Sequence, residues 1–67
     1  MIELTKLNKQ RNSEKFFLNC DLIETIEEKP DTTIKLVNGK NYVVSDSAAQ
    51  VISKIIAFKR GLYNRYN

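Results

Sequence analysis

Few residues in this chain are suited to chemistry, and none of them is a histidine. The usual general base near neutral pH and the commonest metal ligand are therefore both missing. The one cysteine, Cys20, stands beside Asp21 and lacks the positive surroundings that a reactive thiolate requires. It has no partner for an intrachain disulfide and too few companions for a zinc cluster, so it reads as structural. The acids Glu24, Glu27, Glu28 and Asp31 lie close enough in sequence to raise the question of paired-carboxylate catalysis. In an unbroken strand, however, Glu24 and Glu27 point to opposite faces. Neither Gly39 nor Gly61 belongs to a phosphate-binding loop. The expectation is a protein without catalytic residues, metal, cofactor or small-molecule substrate.

Charge distribution is more informative than the formal net charge of +3. Asp21, Glu24, Glu27, Glu28 and Asp31 share their segment with Lys29 alone. From Gln50 onward the charges are Lys54, Lys59, Arg60 and Arg65, with no acid. A second basic set, Lys6, Lys9, Arg11 and Lys15, meets only Glu14. Opposed patches of this kind steer partners or orient self-association; ordinary solvated surface is the plain alternative. Arg60, Tyr63, Arg65 and Tyr66 interleave basic and aromatic groups. That composition suits phosphate contact with base stacking, a lipid surface, or rings packing locally at a chain end.

These groups need elements to position them. A chain of 67 residues makes one small domain, able to bury about 60% of the surface its unfolded form exposes. The domain is expected over residues 1–62, with 63–67 as a tail. Met1 is followed by neither a basic n-region nor a long apolar run, so no signal peptide or membrane span is expected and the cytoplasm is the expected location.

Residues 2–7 alternate as a strand, residues 8–15 are a polar loop, and a second strand centres on Phe16 and Phe17. Asn19-Cys20-Asp21 is a corner. A strand over 22–28 follows, closed by Lys29-Pro30-Asp31. Two further strands, 32–37 and 40–44, flank Asn38-Gly39, the sequence of a two-residue type I′ hairpin. Ser47 and Gln50 have the spacing of a capping box. Beyond it, Ala48, Val51, Ile52, Ile55, Ile56, Phe58 and Leu62 form one broad apolar stripe, with Gly61 as the expected stop. The fold class is α+β: a small antiparallel sheet of about five short strands with one C-terminal amphipathic helix.

A two-residue turn sets Ile34 opposite Val43. Ile34, Leu36 and Val43 then share one face, and Val37, Tyr42 and Val44 the other. Leu22 and Ile26 add to one side and Ile23 to the opposite one. One helix covers only one face, so the second must be closed by sheet curvature, by another copy or by a partner; a homo-oligomer or a docked adaptor is the inference. The candidate partner-binding residues are the acidic rim Asp21, Glu24, Glu27 and Asp31 and the apolar set Val37, Tyr42 and Val44. The alternative is a nucleic-acid or membrane surface on Lys54, Lys59, Arg60 and Arg65, or a purely structural homo-oligomer.

One longer pattern runs through these elements. It starts with Leu7-Asn8 and Asn19-x-Asp21-Leu22-Ile23-Glu24-x-Ile26-Glu27. It continues as Pro30-Asp31-Thr32-x-Ile34-x-Leu36-x-Asn38-Gly39-x-x-Tyr42-x-Val44, and ends with Ser47, Val51-Ile52 and Ile55-Ile56. This skeleton resembles the flagellar FlbD family, whose swarming-associated members are called SwrD. Two features depart from it: residues 9–15 are longer than the tight glycine turn usual there, and Cys20 replaces a small residue or proline. The resemblance implies a cytoplasmic, non-enzymatic motility accessory at the flagellar motor, supporting motor power through the MotA/MotB stator units. It carries no catalytic residue with it.

Overall fold

A computed structural model describes residues 1–7 and 14–64, the side chains of 62–64 excepted. The expected loop tip with Lys9 and Arg11, and the tail residue Arg65, lie outside the described residues. Five strands precede one helix: β1 (Ile2–Lys6), β2 (Glu14–Leu18), β3 (Ile23–Glu28), β4 (Thr32–Leu36), β5 (Asn41–Val44) and α1 (Ala48–Asn64). A single-turn 3-10 helix, Cys20–Leu22, links β2 to β3. Its cap is Asn19, whose Oδ1 accepts from the Asp21 N–H at 3.0 Å. The fold is α+β, as the order of elements implied.

All pairings are antiparallel, in the order β2-β1-β5-β4-β3. The pairings differ greatly in length. β1 and β2 are paired along their whole length, Ile2 with Leu18 through Lys6 with Glu14. Among the described residues β1 meets β5 where Lys6 faces Val44, helped by Leu7 N–H to Val43 O at 3.0 Å and Ser45 N–H to Thr5 O at 2.8 Å. The sheet is thus a hairpin and a three-stranded meander joined at one seam. Across that seam the Phe16 and Tyr42 ring centroids are 5.2 Å apart, although β1 lies between their strands. In a flat sheet their Cα atoms would be two strands apart and, by the Leu4–Phe16 and Lys6–Val44 pairings, four positions along, about 16 Å in all, more than two rings can bridge, so the sheet is curled. Helix α1 packs against both β1 and β3, which are not neighbours, and fills the concave side.

The β4–β5 turn differs from the expectation by one residue. Leu36 N–H donates to Lys40 O at 2.8 Å, and Gly39 N–H to Leu36 O at 3.0 Å. The loop is therefore three residues, Val37-Asn38-Gly39, with Gly39 at φ +90°. Such a loop is a turn followed by one left-handed residue, so positive φ is needed only at the glycine. Asn38 Oδ1 accepts from the Lys40 N–H at 3.0 Å and braces the turn.

One residue of slip reverses every side chain of a strand. Ile34 faces Tyr42, not Val43, and Thr32 faces Val44. Ile34, Leu36, Tyr42 and Val44 consequently share the concave face. A bulge does the same for β3: the register shifts between Ile23 and Thr25, which brings Ile23 and Ile26 onto the core side together. The inference of two apolar faces is overturned. The core of Ile2, Leu4, Leu18, Cys20, Ile34, Leu36, Val44 and Val51 is closed by α1. On the convex face stand Glu3, Thr5, Lys15, Thr33, Lys35 and Asn41, with Phe17 and Val43 as exposed apolar residues.

The capping box forms as expected. Ser47 N–H donates to Gln50 Oε1 at 2.8 Å, and Gln50 N–H to Ser47 Oγ at 3.1 Å. Gly61 does not end the helix, which continues to Asn64. A glycine costs a helix interior about 1 kcal/mol relative to alanine, which one position can bear without terminating the element.

Gly39→Ala forces a side chain into the left-handed region at a site with open space around it. We expect a loss of about 1–2 kcal/mol in urea unfolding, with Gly39→Asn losing less. Equal stability of glycine and alanine there would mean the turn relaxes to another type.

Candidate functional site

The acidic residues gather along the outermost strand. β3 ends the sheet on one side, and its six residues run about 20 Å. Glu24 lies at the bulge and Glu27 faces Thr33 from the convex side; both are exposed. Asp21 is exposed at one end, beside the Leu22 carbonyl that accepts from the Val37 N–H at 2.9 Å. That bond sets the exposed Leu22 and Val37 next to the rim. Asp31 is at the other end, in the turn with the cis Lys29–Pro30 bond. It lines a shallow cleft with Glu28, Pro30, Thr32, Ser45 and Ser47. Structure therefore brings the four rim acids and Val37 onto one edge.

Tyr42 and Val44 are not part of that surface. Val44 is 1% exposed, and Tyr42 packs on Phe16 inside the curl. The apolar patch of Val37, Tyr42 and Val44 does not form, because the three-residue turn places Val37 in the loop and the other two on the concave face.

Glu28, grouped by sequence with the rim, has a separate task. Its Oε1 accepts from the Ala48 N–H at 3.0 Å and from Thr32 Oγ1 at 3.3 Å. It supplies negative charge where the helix dipole is positive, and it satisfies the hydroxyl of Thr32, the buried polar residue of the core.

Among the described residues, the basic side chains of α1 have different surroundings. Lys54 donates to Glu3 O and to Asp46 Oδ2, each at 2.7 Å, so its ammonium is engaged within the fold. Lys59 Nζ lies 3.9 Å from Asp21 Oδ1, with both groups well exposed. Arg60 is exposed on α1.

Asp46 escaped sequence reasoning. Its Oδ1 accepts from the Thr5 N–H at 2.9 Å while Oδ2 takes the Lys54 ammonium. One carboxylate thus ties β1, the β5–α1 junction and α1 together at the seam. Thr5 is 41 positions away in sequence, so no local pattern announces the contact. Burial, leaving the side chain 10% exposed, opposes ionisation. The Lys54 hydrogen bond, the Thr5 N–H and the Lys54 charge outweigh it and hold the carboxyl below its ordinary 3.8.

Because the folded value lies below the unfolded one, this contribution is complete above about pH 4 and is lost as pH falls through the folded value. Asp46→Asn keeps the acceptor for Thr5 and removes the charge. We expect it to lower stability at pH 7 by about 1–2 kcal/mol, with the gap to wild type closing as the pH falls below 3.8. Urea titrations at several pH values measure both. A gap that persists unchanged at the lowest pH would assign the effect to shape instead of charge.

No helix is long and apolar enough to cross a membrane among the described residues. Neither a curated protein nor a solved structure matches the chain. A family model described as flagellar and swarming motility proteins matches residues 1–63. With that match covering almost all of the curled sheet and its helix, the chain belongs to the FlbD family of flagellar and swarming motility proteins.

Proposed function

We propose that this protein is a non-enzymatic accessory of the flagellar motor that supports motor power and swarming. It acts by protein–protein contact, assisting the assembly or retention of the MotA/MotB stator units from the cytoplasmic side. The observation that carries this reading is the β3 edge: an end strand lined by Asp21, Glu24, Glu27 and Asp31, with exposed Leu22 and Val37 at one end. An end strand offers unpaired backbone groups to an incoming segment. Charges along it discourage indiscriminate pairing and favour a basic partner. The fitting partner segment is therefore extended, positively charged, and carries an apolar residue for the Leu22–Val37 end. Catalysis plays no part in this reading.

Glu24→Lys combined with Asp31→Lys reverses the rim without touching the core. We expect swarm expansion and motor torque in the host to fall, while the melting temperature of the purified variant stays within about 2 °C of wild type. Normal torque in a folded, expressed variant would remove the rim from the mechanism.

A further inference from the structure

The turn that closes β4 on β5 fixes which backbone groups of β3 are already paired. Leu36 N–H donates to Lys40 O, and Val37 N–H to Leu22 O. Backbone groups alternate along an antiparallel ladder. Ile34 and Thr32 therefore turn theirs to β5, while Lys35 and Thr33 turn theirs to Thr25 and Glu27 of β3. The N–H and C=O groups of Ile26 and Glu28 point the other way, off the end of the sheet. On one side the bulge between Ile23 and Thr25 breaks this phase. On the other, Pro30 has no N–H to offer. The edge thus presents one short site of four backbone groups.

One flank of α1 overhangs that site. Ala48 N–H meets the Glu28 carboxylate at 3.0 Å, and Lys59 Nζ lies 3.9 Å from Asp21. Ala48, Ile52, Ile55 and Lys59 stand at i, i+4, i+7 and i+11, a single stripe held to β3 at both ends. From Ala48 to Ile52 along the helix, and from Glu28 to Ile26 along the strand, the advance is about 6 Å. Ile52 is therefore level with Ile26. It is 48% exposed, since β3 ends the sheet beneath it.

We propose that a partner segment docks here as a sixth, antiparallel strand, paired with Glu28 and Ile26 and reading basic-basic-apolar along its own chain. This rests on the reading of the β3 edge as the partner surface and gives that partner a register. Antiparallel docking continues the pairing of the whole sheet. The residue opposite Glu28 lies on the concave side beside a carboxylate that makes no ion pair among the described residues. A lysine or arginine suits it. The next residue points to the convex side, against the exposed Glu27, and is basic for the same reason. The third lies opposite Ile26 and under Ile52, where an apolar β-branched side chain covers both. A second copy of this chain is a poor occupant, because β3 paired with β3 sets Glu27 or Glu28 opposite another acid in each two-fold register.

Amide exchange of the full chain, followed by NMR, tests the phase. The Ile26 and Glu28 N–H groups should exchange at least tenfold faster than those of Thr25 and Glu27. The probe for docking is the blocked peptide Thr-Thr-Lys-Lys-Ile-Thr-Thr, added to millimolar concentration at low salt. It should shift the Ile26 and Glu28 amide signals and slow their exchange. Methylating the backbone nitrogens of its first lysine and its isoleucine, which face β3, should weaken binding about tenfold or more. Methylating that of its second lysine should not. Ile52→Asp should weaken binding of this peptide while leaving circular dichroism unchanged. Protected Ile26 and Glu28 amides in the free protein, no shift at millimolar peptide, or equal binding of the two methylated peptides would each overturn the sixth strand. Torque in the rim-reversed variant is a separate readout. A fall in torque without peptide pairing leaves the motility reading and removes the strand, whereas pairing with normal torque does the reverse.

Discussion

The Asp46 carboxylate holds the two halves of the sheet to one helix. Among the described residues β1 and β5 share one paired position, Lys6 with Val44, flanked by two backbone bonds, Leu7 to Val43 and Ser45 to Thr5, a short ladder to fix the angle between a hairpin and a meander. Asp46 adds one bond to the β1 backbone and one to the ammonium of Lys54 on α1. Lys54 in turn reaches the Glu3 carbonyl. The seam, the helix and the first strand are therefore positioned by one small charged network, and a charge so placed is stable because each oxygen has a donor.

From that constraint follows the shape of the core. A sheet closed tightly at one seam curls, and a curled sheet presents one concave side. Alternation along each strand then sorts the apolar residues inward and leaves the convex face largely polar. Phe16 on Tyr42, with Lys6 Nζ 5.5 Å from the centre of the Phe16 ring, bridges strands that do not touch. A single helix suffices as a lid because the curl has already reduced the area it must cover.

This arrangement leaves two distinct surfaces exposed. The β3 edge is acidic and ends the sheet; the far side of α1 is apolar with a basic end. They lie on separate elements, so a contact on one leaves the other accessible.

The amino-acid order by itself determined what depends on neighbours a few residues apart. The Ser47–Gln50 box started the helix, Asn19 made the corner, Asn38-Gly39 made a turn, and the alternation of Ile2 with Leu4 made a strand. Absence of histidine and isolation of Cys20 were equally plain. Parity was not legible. One extra loop residue before Lys40 and one bulge after Ile23 reverse which side chains face inward, and both choices are made by distant packing. With them, Val44 is buried, Tyr42 packs on Phe16 at the edge of the core, and Ile23 joins Ile26; without them, the core would be split across two faces. Asp46 belongs to the same class, because its partner Thr5 is brought near only when the sheet has closed. Tertiary structure decided these points since each depends on apolar area and charge pairing between segments that the chain places far apart.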